Sequence, residues 1–221
     1  MSQHPSITAV IFDMDGVLTD SEPLINEAAV TMFREQGLTV RAEDFHPFVG
    51  TGEDRYLGGV AEKYGFPLDL PAAKARTYEI YLELVPRRLR AFPGAVNLVR
   101  DCQKHALEVA VASSADLIKI EANLRQVGLS PHTWDAIVSA EDVAQRKPAP
   151  DIFLAAARKV GRAPSACVVV EDALSGVAAA KAAGMRCVAV AHTFPEAQLA
   201  AADLVRDRID RVTLADLLGQ A

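Results

Sequence analysis

Positive charge is scarce in this chain: 23 lysines and arginines face 29 acids, a formal net charge of −6. A balance of that sign excludes nucleic acid or an anionic membrane as the main partner. The charge is diffuse, so a small anionic substrate held by a local cation stays open. Cysteine is scarce as well. Cys102, Cys167 and Cys187 are odd in number and widely spaced, which offers neither a disulfide framework nor a metal-ligand pattern. Two of them lie in the apolar runs ACVVV and RCVAV, so buried thiols in a reducing compartment are expected. No stretch is apolar enough for long enough to span a membrane, and no secretory leader precedes the first apolar run. A cytoplasmic enzyme is expected. Internal repeats are absent, and the Ala-rich GVAAAKAAG segment reads as a helix packed closely on its neighbours.

Half of the 221 residues are hydrophobic, enough for one sizeable core and a second, smaller unit. Short β-branched runs recur at Ala9–Phe12, Leu107–Ala112, Ala136–Val138, Ala166–Val170 and Cys187–Val190. Helical stretches separate them, at Gly94–His105, Asp116–Val127, Asp151–Val160 and Gly176–Ala183. Continuous apolar strands joined by helices predict an α/β fold, with a mostly parallel sheet covered on both faces. Between Ser21 and about Arg90 the rhythm breaks. PLINEAAVTMFREQG, EDRYLGGVAEKYG and AAKARTYEIYLELV read as helices with no strand among them. The division expected is a Rossmann-like core of residues 1–20 and 91–221 with an inserted helical cap of residues 21–90. The stretch from Pro86 to Pro93 is read as the returning hinge, and the cleft between the units as the ligand site.

The first run, in ITAVIFDMDGVLTDSE, delivers Asp13 and Asp15 at its end, and Gly16 then lets the chain turn. Strand ends of an α/β sheet are where ligands sit. Paired carboxylates there call for a hard cation, Mg²⁺ before Ca²⁺, with one acid free for covalent or acid/base work. Ser113 and Ser114 end the second strand just before a helix, where they either cap it or help to hold a small anion. Arg146 and Lys147 precede Pro148 and Pro150 in a loop after the third strand, from which the lysine can reach the same edge and neutralise a phosphate. Glu171 and Asp172 follow the fourth run. Four acids at one edge repel one another unless a cation intervenes.

Together these segments resemble the haloacid dehalogenase-like superfamily over essentially the whole chain. DMDGVLTD is similar to its first motif, Ser113 falls at its second, Lys147 in KPAPDIF at its third, and VVVEDALSG at its fourth. The helical insertion resembles the cap of the subgroup containing phosphoglycolate phosphatase and β-phosphoglucomutase. Within it, GTGEDRYLGGVAEKYG and AVASSADLIKIEANLRQVGLS are most similar to the hydrolase-like domain of a larger plant protein. The resemblance implies that Asp13 is the nucleophile that becomes an aspartyl-phosphate and that Asp15 is the acid/base. It further implies that Ser113 and Lys147 hold the phosphoryl oxygens. Mg²⁺ is then held by Asp13, the Asp15 backbone carbonyl and Asp172, with Glu171 a direct or outer partner.

The dehalogenase branch lacks an aspartate at position 15, so phosphoryl transfer is expected. Mutases of the subgroup carry a hinge histidine and a cap arginine that grips a second phosphate. Ile25 and Glu53 stand at those places here, with Arg55 two residues on, which favours a phosphatase of small phosphorylated metabolites over a mutase. A non-catalytic phosphate-binding or regulatory domain is the remaining alternative. Substrate contacts are expected from Ser21, Glu22, Thr51, Glu53, Arg55 and Ser114. Among other polar cap residues, Lys63, Lys74 and Arg76 are weaker candidates, while Tyr78 and Tyr81 are expected to pack within the cap. The RDRIDR segment, Arg206 to Arg211, reads as solvated. A monomer is expected, with a dimer as the alternative.

Overall fold

The computed structural model describes residues 6–220. The MSQHP start, part of the segment read as free of a leader, lies outside them. Six strands form one sheet: β1 (Ala9–Phe12), β2 (Glu108–Ala112), β3 (Ala136–Val138), β4 (Cys167–Glu171), β5 (Arg186–Val190) and β6 (Leu204–Arg206), in the order β3-β2-β1-β4-β5-β6. Every neighbouring pair is parallel. This is the α/β, Rossmann-like arrangement that the apolar runs predict.

The strands are apolar throughout because both faces are covered. Val10, Phe12, Val111 and Val170 face one layer with helices α4 (Ala95–Lys104), α5 (Leu117–Gln126) and α8 (Leu214–Leu218). Ile11, Ala112, Val169 and Ala189 face the other, with α6 (Asp151–Lys159) and α7 (Leu174–Ala182). All three cysteines are buried and free. Phe12 is in register with both Val111 and Val170, so Asp13 emerges level with the last residues of β2 and β4, Ala112 and Glu171. The strand order reverses between β1 and β4, and a parallel sheet opens its ligand crevice at such a point.

Helices α1 (Glu22–Glu35), α2 (Glu53–Lys63) and α3 (Leu70–Arg88) make the inserted unit, with a 3₁₀ turn at Ala42–Phe48. Its own apolar cluster includes Met32, Phe33, Phe45, Leu57 and Tyr81. The chain leaves and returns side by side: the Asp20 N–H donates to the Arg90 carbonyl (3.0 Å) and that of Phe92 to the Leu18 carbonyl (3.1 Å). No described helix is long and apolar enough to cross a membrane.

Three expectations need correction. Pro86 is not in the hinge but inside the last turn of α3; a proline so near a helix end forfeits only one ladder bond, to Leu82. The segment from Arg206 is not merely solvated. Arg206 ends β6, Ile209 is buried, and the Arg206 guanidinium grips the buried Asp216 of α8. Lastly, Gly176 does not open α7, which begins at Leu174; its bare Cα leaves room for the Glu171 carboxylate.

Candidate active site

Asp13 follows β1 directly and its N–H continues the ladder to the Val170 carbonyl (2.9 Å). Gly16 then turns the chain at φ 81°, close against Asp172 and Thr193. Glu171 closes β4 with Asp172 beside it, and Lys147 reaches in from the loop before α6. The Lys147 ammonium donates 2.6 Å bonds to Asp13 Oδ1 and Glu171 Oε1. Glu171 Oε2 accepts the N–H groups of Asp172 and Ala173, each at 2.6 Å. The Thr193 hydroxyl donates to Asp172 Oδ2.

Oxygens of Asp13, Glu171 and Asp172 lie within 4.8 Å of one another, all three residues buried. Burial, opposed by Lys147 and reinforced by Glu171 and Asp15, pushes the Asp13 carboxyl up to about 7. Burial and the charges of Glu171 and Asp13 push Asp172 well above the usual carboxylate range too. Burial alone would lower Lys147, but Asp13 and Glu171 hold it above the ordinary lysine value, so it remains a cation. Three crowded carboxylate oxygens with one ammonium are short of positive charge, and an all-oxygen donor set suits a hard divalent cation. The residues fit Mg²⁺.

The Asp15 carboxylate is not part of that cluster. Ser21 donates to its Oδ1 and Lys119 to its Oδ2 (2.8 Å), and the same lysine donates to Glu53 Oε1 of the cap (2.9 Å). Lys119 is missing from the sequence reading. It is 3% exposed, whereas its neighbours Leu117 and Ile118 are 41% and 54% exposed. The signal available was Lys119 and Asn123 at i and i+4, a polar pair beside Ile120 and Leu124 on the buried face of α5. Burial would depress Lys119; Asp15 and Glu53 reverse this and hold it well above its ordinary value.

Ser113 and Ser114 do not cap α5, whose first N–H, that of Leu117, donates instead to Glu141 (2.9 Å). Ser113 Oγ accepts from the Ala115 N–H (3.2 Å). Ser114 Oγ and Glu53 Oε2 are buried with no partner among the described residues.

A cavity of about 60 Å³ gathers Asp13, Asp15, Glu22, Ile25, Glu53, Ser113, Ser114, Lys119, Lys147, Glu171 and Asp172. Ser21 lies outside it, beside a larger open groove of about 1020 Å³ that shares Gly16, Glu22, Val49 and Thr193 with the cavity. Two expected substrate contacts are not there. Thr51 turns its hydroxyl back onto the Phe48 carbonyl (2.7 Å), and Arg55 pairs with Glu62 on the outer side of α2 (2.7 Å). Lys63 pairs with Asp44, Lys74 with Asp54 and Asp116, and Arg76 with Glu35 and Glu79.

The cap is closed on the core. The Arg146 guanidinium bridges Asp54 of α2 (2.6 Å) and the Ser114 carbonyl (3.3 Å). Tyr78 and Tyr81 pack within the cap as expected, and their hydroxyls also reach the core: Tyr78 Oη accepts from the Asp116 N–H (3.2 Å) and Tyr81 donates to Asn123 (2.7 Å).

The family model described as haloacid dehalogenase-like hydrolase matches residues 7–184. The chain is 53% identical over 219 residues to the chloroplastic protein Suppressor of Quenching 1 of Arabidopsis thaliana, covering 96% of this chain but only 21% of that protein. It is 33% identical over 226 residues to hexitol phosphatase B of Escherichia coli K12, covering 99% of this chain and all of the relative. Among solved structures, CbbY of Rhodobacter sphaeroides in complex with phosphate superposes with a TM-score of 0.89 at 27% identity, over 96% of this chain and 99% of that one.

Proposed function

This chain belongs to the haloacid dehalogenase-like hydrolases and is a phosphoric monoester hydrolase, and we propose that it is a Mg²⁺-dependent phosphatase of small phosphorylated sugars or polyols. The observation that carries this reading is the pair Asp13 and Asp15 at one cavity in different settings. Asp13 lies in the carboxylate cluster and Asp15 between Ser21 and Lys119.

Asp13 attacks phosphorus and forms an aspartyl-phosphate. Lys147, already fixed between Asp13 and Glu171, and the Ser113 hydroxyl hold the phosphoryl oxygens. Asp15 gives its proton to the departing alcohol, then takes one from the water that hydrolyses the phosphoenzyme. Ser21 and Lys119 fix the direction of that carboxylate. Asp13, Asp172, Glu171 and the Asp15 carbonyl would hold Mg²⁺, whose charge offsets the repulsion between an anionic nucleophile and an anionic ester.

The mutase alternative is disfavoured by the cavity wall. Ile25 offers no proton-transfer group there, and among the described residues no guanidinium lines the cavity. The test is phosphate release with Mg²⁺ across hexitol and sugar phosphates, phosphoglycolate and nucleotides, with Asp13→Asn as the blank. Release that requires both Mg²⁺ and Asp13 is expected. Conversion of β-glucose 1-phosphate into glucose 6-phosphate without free phosphate would replace this reading with the mutase.

A further inference from the structure

The two cations in the cavity wall are each already placed between two carboxylates: Lys147 between Asp13 and Glu171, Lys119 between Asp15 and Glu53. Each ammonium thus has two of its three donors engaged, and among the described residues no guanidinium lines the cavity. What the cap leaves over is an acceptor. Glu53 is 5% exposed, its Oε1 is taken by Lys119, and its Oε2 has no partner among the described residues. A buried carboxylate oxygen without a donor is costly, and a ligand hydroxyl can supply the missing bond. Ser114 Oγ stands unpartnered on the same cavity. A wall with a vacant carboxylate oxygen and a vacant hydroxyl, and with each ammonium already shared by two carboxylates, is chemically better suited to alcohol groups than to a further anion.

We propose that Glu53 Oε2 accepts a hydroxyl of the leaving alcohol, and so selects polyhydroxylated monophosphates against both deoxy analogues and bisphosphates. The inference rests on the phosphatase reading and deepens it. Position sharpens it. Glu53 is joined through the single ammonium of Lys119 to Asp15, the group that protonates the ester oxygen. The hydroxyl it serves is assigned to the carbon next to the ester, on the alcohol that Asp15 protonates. Lys119 is a positioning residue in this scheme: it draws Glu53 Oε1 aside and leaves Oε2 toward the ligand. The cap supplies Glu53 and the core supplies Lys119, so the acceptor forms only when the two units meet.

The test compares three probes on the same protein with Mg²⁺: a hexitol monophosphate, its analogue lacking the hydroxyl next to the ester, and the corresponding bisphosphate. Wild-type kcat/KM is expected to fall about 10- to 100-fold for the deoxy analogue, the range for a lost hydrogen bond to a charged group. It should fall at least as far for the bisphosphate. In Glu53→Gln and Glu53→Ala the ratio of hydroxylated to deoxy substrate should collapse toward one, and the bisphosphate should gain relative to the monophosphate. A merely structural role for Glu53 would lower all three probes together and leave the ratios unchanged, which overturns the proposal. Equal wild-type turnover of hydroxylated and deoxy probes overturns it too, while leaving the phosphatase reading intact. Absence of Mg²⁺-dependent release from every ester would instead bring down the phosphatase reading, and this inference with it.

Discussion

Gly176 lies against Glu171 so closely that a Cβ at position 176 would come within 1.7 Å of Glu171 Oε1. That oxygen is the one that receives Lys147. The small side of α7 is therefore part of the carboxylate cluster's architecture, although it contributes no polar atom to it.

Gly176→Ala should consequently act on chemistry as well as stability. Overpacking of this kind costs about 1–3 kcal/mol, which thermal melts will read. Phosphatase activity should drop further than stability alone explains, because the displaced Glu171 loosens Lys147. A variant with wild-type Mg²⁺ dependence and turnover would contradict this.

Asp13→Asn removes the nucleophile while keeping its shape. Turnover should fall by roughly 10³-fold or more, as for other nucleophile deletions. Acid-quenched samples labelled from a phosphorylated substrate should hold no acyl-phosphate. Label persisting in that variant would reassign the nucleophile.

How far the sequence led is clearest at the strand ends. Asp13, Ser113, Lys147 and Glu171–Asp172 follow apolar runs whose parallel register is nearly dictated by composition, so local pattern implied a shared edge. Lys119 escaped because helical periodicity assigns the apolar face by residue type, and α5 turns Leu117 and Ile118 outward while a lysine goes in. Only tertiary charges, Asp15 and Glu53, make that burial tolerable. Thr51 was misplaced for a related reason: the Gly50–Gly52 turn does face the cavity, yet the hydroxyl between the glycines is satisfied within its own turn. β6 was missed because LVR is short and only half-buried, which is typical of an edge strand.

Removal of divalent cations should soften the folded state. Without a divalent ion, Lys147 alone offsets the repulsion among Asp13, Glu171 and Asp172, whose oxygens lie within 4.8 Å of one another. An ion present at a hundred times its Kd contributes about 2.7 kcal/mol of stability. Melting in EDTA should thus occur below melting in excess MgCl₂, and Asp172→Asn should shrink the difference. An unchanged melting temperature in both media would argue against a cation at this cluster.

The cap carries its own pH-dependent tie. Asp44 accepts from Lys63 (2.6 Å), the Tyr64 hydroxyl (2.6 Å) and the Arg41 N–H (2.8 Å), which hold its carboxyl well below the usual range. A carboxyl depressed on folding stabilises fully above its unfolded value of about 4 and loses that contribution as pH falls toward the folded value. Asp44→Asn should therefore melt below wild type at pH 7, and the two curves should converge under pH 4. A gap that stays constant down to pH 3 would show that the tie is not ionic.

Leu18–Asp20 and Arg90–Phe92 run alongside each other, fastened by two backbone bonds. Two tethers laced together behave as one strap, so any swing of the helical unit would share a single axis instead of two independent leashes. Lengthening either thread alone would skew the swing and bring Glu53 down off Lys119. Lengthening both equally would preserve the arc and merely raise the pivot. The cavity of about 60 Å³ below shares Gly16, Glu22, Val49 and Thr193 with the open groove beside it. A swing about that strap would part Glu53 from Lys119 and widen the cavity that the two units line together.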